Sequence, residues 1–110
     1  MSLFEKIIQT NEARDVDAYL ELLSDDYVFV RHQSGTEVSK ADWGPAMRGM
    51  MGNSELQFLS NRCIYENDEI LVMHQVMAFP DGTKEAVMIV NTVENGKITR
   101  TETGATPLDA

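Results

Sequence analysis

The first half of the chain carries apolar residues with the spacing of short amphipathic helices. They recur every three or four positions in residues 2–11, which predicts a first helix. Asp15 is a favoured N-cap residue for a second helix. Ser39 and Asp42 resemble a capping box that begins a third helix, with Asp at the position where Glu or Gln is more usual. Pro45 lies inside this third helix and is expected to kink or restart it.

The pattern changes to a period of two residues in the strand segments. Residues 27–31 are β-branched or aromatic up to a terminal arginine, and they predict a strand between the second and third helices. Four longer strands are expected over residues 55–65, 70–79, 84–93 and 97–106. Asn95-Gly96 is the signal of a type I′ hairpin turn between the last two. This order predicts an α+β fold, with three helices on one face of a strongly curved antiparallel or mixed sheet.

The predicted sheet is apolar on both of its faces. In residues 70–79, His74 shares one face with isoleucine, valine and alanine, while Met73 shares the other with leucine, methionine and phenylalanine. Three short helices cover one face only, so we expect a second copy of the chain to cover the other. The protein is therefore expected to be a homodimer that pairs through the outer face of the sheet. The length of 110 residues predicts a single domain over residues 1–110.

Composition excludes several classes of partner. Nine basic and eighteen acidic residues give a net charge of −9, which disfavours nucleic acid and anionic membrane surfaces. The N-terminus has no long apolar run, so we expect neither a signal peptide nor a membrane span, and a cytoplasmic protein. The single cysteine, Cys63, excludes an internal disulfide and is expected to be buried in a strand. No metal-ligand spacing or phosphate-binding glycine loop is present, so neither a metal nor a cofactor is expected.

The candidate chemistry lies in an arginine and the only two histidines. Arg31 and His32 end the first strand, where the pleat allows only one of them to point inward. Because an unpaired guanidinium is costly to bury, we expect His32 to face a pocket and Arg31 to lie at its mouth. His74 is either a hydrogen-bonded core residue or a polar group in that pocket. If the protein is an enzyme, the two histidines would transfer protons and Arg31 would neutralise developing negative charge.

Seven further residues are candidates for contact with a small apolar or amphipathic molecule. They are Tyr19, Tyr27, Trp43, Met47, Phe58, Met88 and Thr101. Core packing is the competing interpretation for each of them, because aromatic and methionine side chains are common in protein interiors.

The segment Asp15–Asp26 (DVDAYLELLSDD) with the hydrophobic strand after it, and the hairpin segment Asn95–Arg100 (NGKITR), resemble the NTF2-like superfamily. This superfamily includes ketosteroid isomerase and the SnoaL-type polyketide cyclases. The resemblance covers nearly all of residues 2–107. It implies a cone-shaped pocket between the sheet and the helices, usually in a homodimer, but it does not specify a reaction.

The resemblance also allows known catalytic machinery to be compared with this chain. The base of ketosteroid isomerase falls at Arg31 or His32, its tyrosine at Ile7 and its second aspartate at Met88, so none of the three is kept. The chemistry of limonene epoxide hydrolase needs an arginine between two carboxylates. Arg31 is a possible arginine, but no inner strand position is expected to supply the carboxylates.

Two functions follow as expectations. The first is binding of a small, mostly apolar molecule, with cofactor-free cyclase, dehydratase, isomerase or hydrolase chemistry of SnoaL type that uses the histidines. The alternative is a non-catalytic ligand-binding or dimerisation module in which the histidines are structural.

Overall fold

The structure of the protein is a computed structural model that describes residues 1–108. In chain order, its elements are α1 (Leu3–Ala13), α2 (Val16–Glu21), β1 (Leu23–Arg31), β2 (Thr36–Ser39), α3 (Lys40–Met51), β3 (Gln57–Glu66), β4 (Ile70–Ala78), β5 (Lys84–Glu94) and β6 (Lys97–Leu108). The predicted α+β fold is therefore confirmed. The short strand β2 was not predicted, because its four residues are too few to show a clear alternation.

The second and third helices begin at their predicted capping residues, and the first begins with a capping box that was not predicted. The Ser2 hydroxyl accepts a hydrogen bond from the Glu5 backbone N–H, and the Glu5 carboxylate accepts one from the Ser2 backbone N–H. Asp15 and Ser39 each accept a hydrogen bond from a backbone N–H three residues further on. The third helix continues through Pro45 as one element, so of the two expected alternatives, a kink or a restart, the restart does not occur.

The six strands form one mixed sheet in the order β2-β1-β6-β5-β4-β3. β1 and β6 run parallel, and every other neighbouring pair is antiparallel. Asn95 and Gly96 both have positive φ angles, of 51° and 77°, which agrees with the predicted hairpin turn between β5 and β6. Register shifts in three of the five strand pairs, among them two along β3, are irregularities of the kind that curve a sheet.

All three helices pack on the concave face of this sheet, which we call the inner face. Their main contact is a buried apolar cluster that includes Ile7 of α1, Tyr27 of β1 and Leu71 of β4. The opposite, outer face carries half-buried side chains such as Val72 and Val76, and Met88 is 44% exposed there. The inner face is therefore the only one that the three helices of residues 1–108 cover.

Cys63 lies exposed on β3. The prediction that it is buried is wrong, because β3 is an edge strand with few neighbours over it. Among residues 1–108, no helix is both long and apolar enough to cross a membrane.

Candidate functional site

A cavity of about 310 Å³ lies between the inner face of the sheet and the helices. Its walls are mainly apolar and come from several elements, including Met47 of α3, Met73 and Met77 of β4, and Ile89 of β5. Small-molecule sites in proteins have this size and this apolar character. Methionine side chains are flexible and polarisable, so these walls suit an apolar molecule of irregular shape.

One wall of the cavity is aromatic. The rings of Phe29 and Trp43 are stacked, with centroids 3.9 Å apart and planes at 8° to each other. The Trp43 indole Nε1–H donates a hydrogen bond of 3.0 Å to the Tyr19 hydroxyl. This bond ties α3 to α2 and holds the Trp43 ring in one orientation against the cavity.

Tyr27 lies behind this wall in the buried core and is only 1% exposed. Its hydroxyl has no hydrogen-bond partner within residues 1–108. Burial, and secondly the neighbouring Tyr19 hydroxyl, raise the pKa of Tyr27 far above its ordinary value, although the Thr101 hydroxyl opposes this. Burial also raises the pKa of Tyr19, against the effect of its hydrogen bond from Trp43. Both phenols are therefore neutral and unsuited to act as bases at physiological pH.

The mouth of the cavity carries an ion pair between β1 and β5, the two strands that flank β6. The Arg31 guanidinium lies 3.3 Å from the Glu85 carboxylate and donates a hydrogen bond of 3.0 Å to the Gln33 side chain. Glu85 is the more enclosed partner, with a side chain 12% exposed against 42% for Arg31. Only Nη2 of Arg31 makes these contacts, so Nε and Nη1 have no hydrogen bond to any residue of 1–108.

Hydrogen-bonded polar residues lie deeper on the inner face. The Thr101 hydroxyl donates to the Asn91 side-chain oxygen at 2.8 Å, and the Asn91 amide donates to the Leu71 carbonyl at 3.1 Å. The Thr103 hydroxyl donates to the Val30 carbonyl at 3.1 Å. Since each of these buried groups has a protein partner, their first role is to join neighbouring strands.

Residues 4–101 match the sequence model of the SnoaL-like domain family. The chain belongs to this family. A comparison with curated proteins found no significant match.

Solved structures of similar fold include proteins described as NTF2-like. A candidate ketosteroid isomerase from Kribbella flavida superposes with a TM-score of 0.79 at 14% identity, covering 96% of this chain and 76% of that one. An NTF2-like protein of unknown function from Mesorhizobium loti gives 0.78 at 13% identity, covering 94% and 90%. The candidate polyketide cyclase IdmH from Streptomyces antibioticus gives 0.72 at 13% identity, covering 92% and 87%. At these identities the likeness concerns the fold alone.

In this SnoaL-like domain, five of the seven residues predicted to contact a ligand line the cavity. They are Tyr19, Trp43, Met47, Phe58 and Thr101. Tyr27 lies in the core beside the cavity. Met88 is on the outer face, where it pairs with His74 across the strands, so the prediction that it lines the pocket is wrong. Contact of the other residues with a ligand stays a prediction.

The two histidines lie outside the cavity. The His32 side chain is 61% exposed, and its Nε2 is 3.3 Å from the Glu102 carboxylate. His74 lies on the outer face of β4, and its Nδ1 is buried without a partner in the described part of the chain. The prediction that His32 faces the pocket is wrong, because its neighbour Arg31 takes the inner position at the cavity mouth.

The sequence contained a signal for this arrangement. Strand alternation puts Arg31 on the same face as Tyr27 and Phe29, and inward-pointing aromatic residues require an inward-pointing arginine. The same rule puts Glu85 on the face of Val87 in β5. Glu85 was missed as a site residue because its partner lies 54 residues away in sequence.

Among residues 1–108, no group of three or more His, Cys, Asp or Glu side chains is arranged so that it could hold a metal ion.

Proposed function

We propose that this SnoaL-like domain binds one small, largely apolar molecule in the cavity. The observation that carries this proposal is the space of about 310 Å³, lined by apolar side chains and carrying the Arg31–Glu85 pair at its mouth. An apolar body would pack against Met47, Met73 and Met77, and a polar end would reach the mouth.

The Arg31–Glu85 pair favours a second, catalytic candidate. A carboxylate at the edge of an apolar space can take a proton from a carbon next to a carbonyl group and return it to another carbon, without a cofactor. The unused N–H groups of Arg31 would stabilise the negative charge that develops on the carbonyl oxygen. Two proteins of similar fold are described as a candidate ketosteroid isomerase and a candidate polyketide cyclase. The proposed proton transfer belongs to the same class of chemistry.

This catalytic candidate replaces the chemistry expected of the histidines. His32 and His74 have no direct path to a molecule in the cavity, because both rings lie off its walls. In the non-catalytic alternative, the Arg31–Glu85 pair only orients the polar end of the ligand.

Binding is tested with Trp43, which is the only tryptophan of the chain and lies in the cavity wall. Titration with tetralin, a bicyclic hydrocarbon, is expected to change the tryptophan fluorescence in a saturable way. Ala105→Phe fills the cavity and should abolish the change, because Ala105 lines it. Ala86→Phe is the matched control, since Ala86 lies on the outer face beside Val87. Absence of a saturable signal in the unmodified protein would refute the binding proposal.

Catalysis is tested by deuterium exchange. The protein is incubated in heavy water with α-tetralone, whose carbon next to the carbonyl has exchangeable protons, and the exchange is followed by NMR. Glu85→Gln should abolish any acceleration over buffer, whereas Glu102→Gln, on the outer face, should retain it. If the unmodified protein binds the ketone without accelerating exchange, the non-catalytic alternative is correct.

A further inference from the structure

Two carboxamide side chains face the cavity without a hydrogen-bond partner in the described part of the chain. Asn11 of α1 and Gln75 of β4 both line it, and each residue is only 7% exposed. Neither side-chain amide has a hydrogen-bond partner among residues 1–108, and the amide atoms stay open to the cavity rather than fully enclosed by protein. Burying an amide away from bulk water without a hydrogen-bond partner costs free energy. Two such amides at one cavity are explained if a molecule inside the cavity supplies their partner.

The contrast with the other polar residues of the cavity makes the two amides distinctive. Asn91, Thr101 and Thr103 are buried to a similar degree, but each uses its side chain to join neighbouring strands. Asn11 and Gln75 have no such structural role. Their donors and acceptors therefore remain available to a molecule inside the cavity.

The two amides lie on different walls of the same space. Gln75 pairs with Val87 across the β4–β5 ladder, and Glu85 lies two residues from Val87 on the same face, a diagonal separation of roughly 7–8 Å. Asn11 follows Ile7 by one helical turn on the face of α1 that covers the inner face of the sheet. One small molecule could therefore contact both an amide and the Arg31–Glu85 pair.

We propose that Asn11 and Gln75 form an uncharged polar subsite that binds a carbonyl or hydroxyl oxygen of the ligand. Carboxamides supply N–H donors and a C=O acceptor without a net charge, so they select a neutral oxygen-bearing group. The inference rests on the proposed function and adds the substrate class: a mostly apolar ketone, alcohol or related neutral compound. Its body would fill the apolar cavity, and its oxygen would meet the amides.

The test compares α-tetralone with tetralin, which has the same two rings but lacks the oxygen. Binding constants are measured by chemical-shift titration of the ¹⁵N-labelled protein. We expect the ketone to bind about tenfold more tightly, the change that one hydrogen bond of ordinary strength produces. The side-chain amide proton signals of Gln75 should move further downfield with the ketone than with the hydrocarbon, because only the ketone can accept a hydrogen bond from them.

Gln75→Leu and Asn11→Leu should each reduce the preference for the ketone while tetralin binding persists. Gln57→Leu is the matched control, because Gln57 is exposed on β3 and should keep the full preference. Replacing an unpaired amide with an apolar side chain is not expected to impair folding. The Gln75 side-chain signals test contact between the amide and the ketone in the unmodified protein, without any substitution.

The outcomes separate the two proposals. If the hydrocarbon binds as tightly as the ketone, or if neither leucine variant changes the preference, the amide subsite is refuted while the apolar cavity stands. The latter result would follow if Gln75 pairs in solution with Asn61, its neighbour on β3, whose buried side-chain oxygen lacks a partner in the described residues. If neither compound binds, the proposed function fails and the subsite fails with it.

Discussion

Tyr19 and Tyr27 offer a sharp test of the hydrogen bonding around the cavity. Tyr27 is buried and Tyr19 half-buried, and of the two only the Tyr19 hydroxyl has a hydrogen-bond partner among residues 1–108, the Trp43 indole. Replacing each tyrosine with phenylalanine removes a single oxygen and nearly conserves the ring volume. We therefore expect the two substitutions to change the free energy of unfolding in opposite directions.

The magnitudes follow from what each hydroxyl does. Tyr19→Phe leaves the Trp43 N–H without its acceptor in a partly buried site, which should destabilise the protein by about 1–2 kcal/mol. Tyr27→Phe removes a hydroxyl that is buried without a partner, so the cost of its burial disappears. A gain of about 1 kcal/mol is expected, and the two variants should differ by about 2–3 kcal/mol.

Urea unfolding monitored by Trp43 fluorescence measures both variants, and far-ultraviolet circular dichroism gives an independent signal. With a slope of about 1–3 kcal/mol/M, a difference of this size separates the two midpoints by about 0.7–3 M. A loss of 1 kcal/mol or more in Tyr27→Phe would refute the reasoning. It would show that the Tyr27 hydroxyl is bonded in solution, with the nearby hydroxyl of Tyr19 or Thr101 as the partner.

Three further predictions concern other parts of the molecule. Burial raises the pKa of Tyr27 in the folded protein, so its neutral phenol contributes its full stability below the unfolded pKa of about 10. Above that pH the unfolded chain ionises first, and the free energy of unfolding falls by about 1.4 kcal/mol per pH unit. Tyr27→Phe should reduce that slope in alkaline melting curves, whereas Tyr65→Phe, at an exposed position, should not. Arg14→Met should cost about 2–3 kcal/mol in urea unfolding, because the guanidinium donates to three backbone carbonyls in and just after α3, and unchanged stability would contradict this role. We also propose that the outer face pairs two copies of the chain, so native mass spectrometry should show a dimer that Met88→Asp converts to monomer. A monomeric unmodified protein would exclude this pairing.

Local features of the fold were predictable because they depend on residues close together in sequence. The caps at Asp15 and Ser39 and the turn at Asn95-Gly96 each involve side chains or φ angles within a few residues. The long meander strands were also predictable from their alternation. The strand β2 was not, because its pairing partner β1 stabilises it more than its own four residues do.

The candidate site was predictable only in part. The aromatic and methionine residues around Trp43 were identified as possible lining residues because apolar side chains collect wherever water is excluded. The prediction that His32 rather than Arg31 points inward was wrong because it assumed that the Arg31 guanidinium would be buried without a partner. Glu85 supplies that partner at 3.3 Å. Once paired at a half-open mouth, a guanidinium no longer carries the full cost of burial.

The sequence by itself determined the order of the helices and long strands, the helix starts at Asp15 and Ser39, the turn at Asn95-Gly96 and the two-sided apolar character of the sheet, because these depend on local chemistry and on period. Only the tertiary structure decided which face of each strand lines the cavity. β4 is apolar on both faces, so its alternation is equally compatible with His74 or with Gln75 pointing inward. The packing of the helices over Met73 and Leu71 settles that choice. The same packing, with the register that brings β5 and β1 together through β6, joins Arg31 to Glu85 and leaves Gln75 facing the cavity.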